Sequence, residues 1–382
     1  MLSTAVGWEL YEMTHSALAL GLVGLMKFLP VFVLSLPVGH FIDRWNSKWL
    51  LIINQCVMIA ACIGLTLVSK TQGPLVLFYG CLALMGIALT VVEPARATFY
   101  PQILPTTSLH NAVTWNHVAR QIATVGGPIA GGLAIAISGT ARTAYLGYAA
   151  LSVLFIILVG SVPFTTRKRS TEPLTLASLL GGIRFIGRTK IILSTITVDL
   201  FAVLFGGVTA LLPIFAKDIL HIGPTGLGFL RAAPAIGALL MSGLIAYRRP
   251  LEKAGVTLLW SVAGFGIATI LFGISTNPWL SFLLLLLTGS FDAVSVIIRH
   301  TLLQTRTPAS LLGRVYAVNN VFGISSNELG EVESGMVAAA IGPILATLTG
   351  GVGSILVVLF AMWKWPEIVR LKRLQEPEVE TV

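Results

Sequence analysis

The sequence predicts an all-α integral membrane protein made of two six-helix halves, and three observations predict this class. Of the 382 residues, 55% are hydrophobic and 11% are charged, whereas a soluble domain carries about 25% charged residues. The mean hydropathy is correspondingly high, at +0.88. Apolar segments of membrane-spanning length follow one another along the chain, and the second half of the sequence repeats features of the first.

Eleven segments reach the length of about 20 mostly apolar residues that an α-helix needs to cross a bilayer. Transmembrane strands would instead be about 10 residues long with alternating polarity, which continuous apolar runs such as 282–287 do not show. The predicted helices lie at residues 17–40, 49–69, 74–99, 108–138, 142–163, 191–215, 225–247, 255–275, 279–303, 311–342 and 344–366.

The basic residues orient these helices, because Lys and Arg accumulate in cytoplasmic loops. We assign 19 of the 25 Lys and Arg residues to one side of the membrane and three to the other. We therefore expect a multi-pass protein of the inner (plasma) membrane with a cytoplasmic C-terminus. The net charge of +9 is interpreted as a topology signal and an attraction to anionic lipids. Nucleic-acid binding is not expected, because no basic face is free of the membrane.

A long internal repeat relates the two halves in parallel orientation. At an offset of 204 residues Lys27 aligns with Arg231, and at an offset of 203 Arg96 aligns with Arg299. The repeat divides the chain into an N-terminal helix bundle (1–163), a cytoplasmic linker (164–190), a C-terminal helix bundle (191–366) and a cytoplasmic tail (367–382).

The first helix is expected to be truncated. Residues 1–13 are apolar but too short to span a bilayer. The repeat aligns residue 1 with Phe205, whereas the corresponding helix begins near Ile191. About 14 residues are therefore expected to be absent from helix 1 relative to its partner in the repeat.

The sequence contains no constellation typical of an enzyme or of a cofactor site. Cys56, Cys62 and Cys81 fall in apolar segments without metal-ligand spacing, and the six His residues are scattered. There is no Gly-rich phosphate loop ending in Lys-Ser/Thr and no G-x-S-x-G sequence. We therefore expect neither catalysis nor a bound metal or cofactor.

A charged segment, GHFIDRWNSK at 39–48, separates two predicted helices. Twelve helices in two parallel halves with a basic linker resemble the major facilitator superfamily, and this segment resembles that superfamily's signature G-x-x-x-D-R-x-G-R-K. Asn46 and Ser47 depart from the signature; Asn tolerates a left-handed turn, so the first departure is mild. The matching residues are Gly39, Asp43, Arg44 and Lys48.

The resemblance implies a cytoplasmic gate at this segment. Gly39 would let helices approach closely, and Asp43 would meet the positive N-terminal end of a helix from the other half, or a nearby Arg. Such contacts hold one side closed and break when the carrier inverts. The alternative is an ordinary charged loop that sets topology.

A second signature, GGPIAGG at 126–132, resembles the antiporter motif of the superfamily, G-x-x-x-G-P-x-x-G-G, with Ala123 in place of the first Gly. In the family this motif accompanies export; the alternative is generic packing of small residues. The segments at 91–121 and 313–335 resemble the efflux subgroup that includes the enterobactin exporter and macrolide-efflux type proteins. The residues that match the antiporter motif are Gly127, Pro128, Gly131 and Gly132.

Charges within the predicted spans are candidate functional residues, because charge is costly in a membrane. Asp199, about nine residues and roughly 13 Å into its helix, is the first choice for a proton or substrate site. Glu93 has an alternative role, which is to pair with Arg96 at i+3. Glu328 and Glu331 share one helix face, and for all these acids structural pairing with Arg is the alternative. The candidates are Asp199, Asp292, Glu93, Arg120, Glu328 and Glu331.

Together these features predict a secondary active transporter. We expect proton-coupled export of a small amphipathic molecule, such as a drug, a siderophore or a similar metabolite, by alternating access. Its partners would be that substrate, protons and membrane lipids, and a monomer suffices because one chain forms the pathway. The alternatives are a lipid or metabolite carrier working inward, and a non-transporting membrane sensor, scaffold or degenerate carrier.

Overall fold

The computed structural model describes residues 1–103, 106–163, 176–247 and 253–371, and within these ranges the chain is helical without a strand. The first helices are α1 (Leu2–Thr14), α2 (Ala17–Arg44), α3 (Ser47–Thr71), α4 (Leu75–Ile103), α5 (Thr106–Ser138) and α6 (Arg142–Ser161). The remaining helices are α7 (Leu176–Arg188), α8 (Lys190–Phe205), α9 (Leu212–Ile214), α10 (Gly223–Tyr247), α11 (Ala254–Ile274), α12 (Pro278–Arg306), α13 (Ala309–Ile341), α14 (Pro343–Lys364) and α15 (Pro366–Arg370).

Ten segments in the described part of the chain are long and apolar enough to cross a membrane. They include α3, α6, α11 and α14 over their whole length. The helix α13, which the sequence predicts as a further span, has 33 residues but is not among the ten. Polar residues such as Asn319, Asn320 and Glu328 dilute its apolar character.

The helices form two compact units. The first contains Met1–Leu174 and Ile222–Ala232, and the second contains Thr175–His221 and Ala233–Val382. In the first unit α4 packs on α2 and α3, and α3 also packs on α6. In the second unit α11 packs between α12 and α14, and α8 lies against α13 and α14. Each unit therefore buries its own apolar helix faces.

The predicted helix at 191–215 is wrong as a single α-helix, because α8 ends at Phe205. Gly206 and Gly207 follow, and the chain continues as a 3₁₀ turn (Val208–Leu211), the short α9 and a π turn (Phe215–Ile219). A Cβ at Gly207 would overlap the backbone carbonyl of Gly330 in α13, so glycine is required there. Two adjacent glycines also weaken a helix, and an interruption at membrane depth is tolerated where it lines a cavity.

The segment predicted as a linker, 164–190, contains the helix α7 in its described portion. Ile186 is buried with Ile192 and Leu303. A Cβ at Gly182 would lie 3.0 Å from the carbonyl oxygen of Arg314, so α7 runs close to α13. Arg184 is exposed on the other side of α7. This amphipathic pattern explains why α7 folds as a helix within the second unit.

Candidate functional site

A cavity of about 210 Å³ with both polar and apolar lining residues lies inside the second unit, beside the interruption between α8 and the 3₁₀ turn. The backbone at Gly206 and Gly207 forms part of its wall. Side chains of α12 and α13 supply most of its polar groups, and Phe265 and Phe272 of α11 line it with apolar surface. The polar lining includes Asp199, Thr288, Asp292, Arg299, Ser326 and Asn327.

An ion pair between Asp199 of α8 and Arg299 of α12 is buried in this unit. The guanidinium Nη1 of Arg299 donates to Oδ2 of Asp199, and the hydroxyl of Ser295 donates to Oδ1 at 3.0 Å. Both carboxylate oxygens of Asp199 thus have a donor, and its charge is compensated. Buried charges are generally paired in this way, because an unpaired charge in the interior is far more costly.

Asp292 occupies the same face of α12 as Arg299, since seven residues are about two helical turns. Its carboxylate lines the cavity. Within the described part of the chain we find no hydrogen bond or ion pair to that carboxylate. Of the two aspartates that the sequence predicts, Asp292 is therefore the one without a direct hydrogen bond or ion pair among the described residues.

Close backbone packing between α10 and α12 holds one wall of the cavity. A Cβ at Gly289 would overlap the carbonyl of Pro234, and a Cβ at Gly237 would overlap the carbonyl of Leu286. The hydroxyl of Ser290 donates to the carbonyl oxygen of Gly237 at 3.1 Å. Glycine and a small polar residue thus let these helices touch, as in other membrane helix pairs.

A separate group of charges lies in the first unit. Nη2 of Arg120 in α5 donates to Oε2 of Glu93 in α4 at 2.8 Å, and Nη1 of Arg96 lies 3.7 Å from the other carboxylate oxygen. Glu93 therefore contacts Arg96, as the i+3 spacing predicts, and it contacts Arg120 more closely. Glu93 and Arg120 do not line the cavity of the second unit.

The two predicted acids of α13, Glu328 and Glu331, are partly buried but are not among the residues that line the cavity. The neighbouring carboxylate of Glu333 accepts a hydrogen bond from the hydroxyl of Ser334 at 3.3 Å. The structure brings together only Asp199 and Asp292 of the six predicted candidates in this cavity, and it adds Arg299 to them.

Comparison with known proteins assigns the family. The sequence profile of a family described as transmembrane secretion effector matches residues 1–381. The chain belongs to this family. The enterobactin exporter of Shigella dysenteriae serotype 1 is 27% identical over 361 residues, which cover 94% of this chain and 86% of that protein. The predicted resemblance to an efflux subgroup of the major facilitator superfamily is thereby confirmed.

Solved structures of transporters share the fold of this chain. The nucleoside transporter NupG has a TM-score of 0.71 and 13% identity, covering 97% of this chain and 97% of its own. The D-xylose–proton symporter has a TM-score of 0.71 and 15% identity, covering 95% and 94%. At such identities the likeness concerns the fold alone. The all-α major facilitator fold is confirmed, and the chain is a multi-pass membrane transporter rather than an enzyme.

The predicted gate falls partly outside the described residues, because the surroundings of Gly39 and the side chains of Asp43 and Arg44 are not described. Lys48 is described, and its Nζ donates to the carbonyl oxygens of Gly160 and Val162, each at 2.8 Å. These carbonyls lie at the C-terminal end of α6, where a cation is favoured. Lys48 thus fastens the start of α3 to the end of α6.

Asn46 does not use the left-handed conformation that Asn tolerates. Asn46 has φ −67° and ψ 120°, and its side chain accepts a hydrogen bond from the backbone N–H of Lys48 at 2.9 Å. Asn is a favoured N-cap because its oxygen satisfies a free N–H group in the first turn. The departure from the family signature at this position therefore serves to start α3.

The antiporter-like motif lies at a close helix contact in the first unit. A Cβ at Gly131 would lie 2.7 Å from the carbonyl oxygen of Met1, and one at Gly127 would lie 3.1 Å from its nitrogen. A Cβ at Gly132 would lie 3.1 Å from Cα of Gly228, and one at Gly228 would lie 2.7 Å from the carbonyl oxygen of Pro128. Small residues therefore allow α5 to touch both α1 and the start of α10.

Sequence reasoning missed a buried carboxylate in α1. Glu9 accepts a hydrogen bond of 2.5 Å from the hydroxyl of Tyr145 in α6, and both residues are buried. Residues 1–13 are too short to span a membrane, so hydropathy does not mark Glu9 as an intramembrane charge. For Asp199 the predicted alternative is pairing with an Arg, and the structure identifies that partner as Arg299, the repeat equivalent of Arg96.

Proposed function

We propose that this chain exports a small amphipathic molecule in exchange for protons, and that the cavity of the second unit is its coupling site. The observation that carries this proposal is the carboxylate of Asp292, which lines a cavity in the membrane-spanning part of the chain. Its neighbour Asp199 is already compensated by Arg299. An ionisable side chain at this depth is costly and generally marks an ion or substrate pathway.

The net charge of the cavity supports the proposed coupling of proton and cargo. Asp199 and Arg299 cancel one another, so the three ionisable groups of the cavity carry one net negative charge when Asp292 is ionised. Binding of one proton to Asp292 neutralises the cavity, and release of that proton restores the charge. A cargo with a cationic or strongly hydrogen-bonding group would favour the ionised state. Proton and cargo would then exclude one another, which is the requirement for exchange.

The apolar part of the cavity supports an amphipathic cargo. Phe265, Phe272 and Leu285 line it beside the polar groups of Thr288 and Asn327, and ligand sites generally combine apolar walls with a few polar groups. The relative named enterobactin exporter supports outward transport of a small molecule. We therefore assign the same direction, but only the class of cargo, to this chain.

Alternating access would connect this site to the two sides of the membrane in turn. The interruption after Phe205 supplies non-helical backbone beside the cavity, where a conformational change can be absorbed. In the same proposal, the segment at 39–48 is a gate on the cytoplasmic side, and the tail at 367–382 is cytoplasmic. A single chain in the inner membrane performs the cycle.

The test is transport by the purified chain in proteoliposomes with an imposed pH gradient. A panel of dyes, antibiotics and siderophores, including enterobactin, is loaded, and its movement is followed with and without a protonophore. We expect gradient-driven transport that Asp292→Asn lowers at least about tenfold, since removal of the proton-binding group uncouples the gradient. Asp218→Asn, which changes an exposed carboxylate outside the cavity, is the matched control and should remain active.

The outcomes separate the alternatives. Gradient-driven transport unchanged by Asp292→Asn would reject the coupling site while leaving the transporter. Movement only toward the cytoplasmic side would replace export by an inward carrier of a lipid or metabolite. A folded chain that moves no compound of the panel would favour a sensor or scaffold.

A further inference from the structure

A second cavity in the second unit is apolar and lies between α8 and α14. It has a volume of about 330 Å³. Both helices belong to membrane-spanning segments. In the described lining, Thr197 is the one hydroxyl side chain, and its hydroxyl already donates to the carbonyl oxygen of Leu193 at 2.7 Å. The cavity therefore suits a hydrocarbon ligand, because it presents little unsatisfied polar surface.

The shape of this cavity is a groove along two parallel stripes of side chains. On α8 the stripe is Thr197, Phe201 and Phe205, and on α14 it includes Gly353 and Phe360. The three residues of α8 are spaced four apart, and the two residues of α14 are spaced seven apart. Each set therefore lies on one face of its helix. A Cβ at Gly353 would lie 2.9 Å from the ring of Phe205, so the glycine leaves room for that ring at the far end of the groove.

Both stripes end in a lysine at the same end of the groove. Lys190 lies seven residues before Thr197, and Lys364 lies four residues after Phe360, so each continues its stripe by one or two turns. Trp365, which lines the groove, directly follows Lys364. Both lysines are exposed. Lys190 lies 3.5 Å from a carboxylate oxygen of Glu367, but an exposed pair of this kind is weak, and the two lysines outnumber the one acid.

Along α14, the groove is about as long as one leaflet of a bilayer is deep. Gly353 and Lys364 are separated by eleven residues of helix, or about 16 Å at 1.5 Å per residue. The hydrocarbon core of a bilayer is about 30 Å thick, so one leaflet is about 15 Å deep. An acyl chain that enters at the lysines can therefore lie against α14 over about the depth of one leaflet.

We propose that this groove is a binding site for an anionic phospholipid, with one acyl chain between α8 and α14 and the phosphate between Lys190 and Lys364. Charge complementarity selects an anionic headgroup, since basic residues at a membrane surface attract such lipids. The opposite face of α8 carries Asp199 and lines the first cavity. A bound acyl chain would therefore pack on the face of α8 that points away from Asp199, just before the interruption at Gly206.

The experiment measures lipid bound to the purified chain and does not depend on transport. The protein is reconstituted in vesicles of phosphatidylethanolamine and phosphatidylglycerol, extracted in mild detergent and analysed by lipid mass spectrometry. We expect about one phosphatidylglycerol per chain to be retained in preference to phosphatidylethanolamine. Leu356→Trp, which fills the groove from its open side, should lower retention at least about fivefold through the loss of buried hydrocarbon.

Matched variants decide between this site and general surface lipid. Leu356 is 57% exposed and lines the groove, whereas Leu359 on the same helix is 56% exposed and does not line it. Leu359→Trp should therefore retain lipid as the wild type does. The double variant Lys190→Gln/Lys364→Gln should lose the preference for phosphatidylglycerol, while Lys253→Gln, another exposed lysine, should keep it. Equal retention in Leu356→Trp and Leu359→Trp, or an unchanged preference in the double lysine variant, would overturn the proposal.

Discussion

Arg96 and Arg299 occupy equivalent positions of the internal repeat, yet their ion pairs lie in opposite environments. The side chains of the Arg299–Asp199 pair are 9% and 8% exposed. Those of the Arg96–Glu93 pair are 30% and 53% exposed. Exposed pairs contribute about 0–1 kcal/mol, whereas removal of one partner from a buried pair costs about 3–5 kcal/mol. We therefore expect the arginine to contribute more to stability in the second unit than in the first.

The largest effect is expected when the buried arginine is removed. Arg299→Gln leaves the carboxylate of Asp199 buried without its cation, so we expect a loss of about 3–5 kcal/mol in stability. Arg96→Gln should cost about 1 kcal/mol or less. Thermal unfolding in detergent, followed by circular dichroism, measures both.

A double variant sharpens this test. Asp199→Asn/Arg299→Gln removes both charges together, so it should recover most of the stability lost in Arg299→Gln, because no uncompensated charge is left. If the double variant is as unstable as Arg299→Gln, or if Arg96→Gln is equally damaging, the contrast between the two units fails.

The sequence could predict this site only in part. Hydropathy identifies Asp199 and Asp292, since a charge in an apolar run is visible without a structure. The pairing of Asp199 with Arg299 depends on the packing of α8 on α12, which are about 100 residues apart in the chain, and no local pattern records it. Glu328 and Glu331 are also acidic residues within a predicted span, as Asp292 is, but they are not among the residues that line the cavity. The approximate bounds of most helices could be predicted, because the length and apolar character of a segment can be read from its own residues.

Irregular backbone was harder to predict than helices. The pair Gly206–Gly207 is visible in the sequence, but apolar residues on both sides of it favour one continuous helix over 191–215. Whether a Gly-Gly pair in a membrane span bends, breaks or merely packs depends on the neighbouring helix. Here the carbonyl of Gly330 occupies the space of a Cβ at Gly207, which is a tertiary contact.

A second pair of repeat equivalents allows a smaller comparison. At the offset of 203 residues, Gly86 of α4 corresponds to Gly289 of α12. A Cβ at Gly86 would lie 2.7 Å from the carbonyl oxygen of Lys27, and one at Gly289 would overlap the carbonyl of Pro234 more deeply. We expect Gly289→Ala to cost about 1–3 kcal/mol, as overpacking does, and Gly86→Ala to cost less. Melting temperatures in detergent give the order.

Gly126→Ala is the control for this comparison, because nothing lies within 4 Å of its Cβ position. Removing a helical glycine from an open position should be neutral or stabilising by up to about 1 kcal/mol. Destabilisation by Gly126→Ala comparable with that by Gly289→Ala would mean that the close contact between α10 and α12 is not the cause.

The first unit has its own buried carboxylate, but it is satisfied by a neutral donor. Tyr145→Phe removes the hydroxyl that donates to Glu9, and we expect a loss of about 1–3 kcal/mol, because the carboxylate loses a buried donor. Tyr79→Phe removes a hydrogen bond of 3.0 Å to the carbonyl oxygen of Ala19 and should cost about 0.5–1.5 kcal/mol. Equal melting temperatures for Tyr145→Phe and the wild type would show that Glu9 does not need this donor.

The smallest effect is expected at Lys48, and it separates a packing role from a gating role. Lys48→Gln loses a cation at the C-terminal end of α6, where such a charge contributes about 0.3–1 kcal/mol. The melting temperature should fall slightly, and Lys253→Gln, at an exposed position, should not change it. If the segment at 39–48 is a gate, Asp43→Asn should lower transport without a comparable loss of stability. Full transport by Asp43→Asn together with a clear loss of stability in Lys48→Gln would instead identify this segment as a structural joint between α2, α3 and α6, in which the charges serve packing within the first unit.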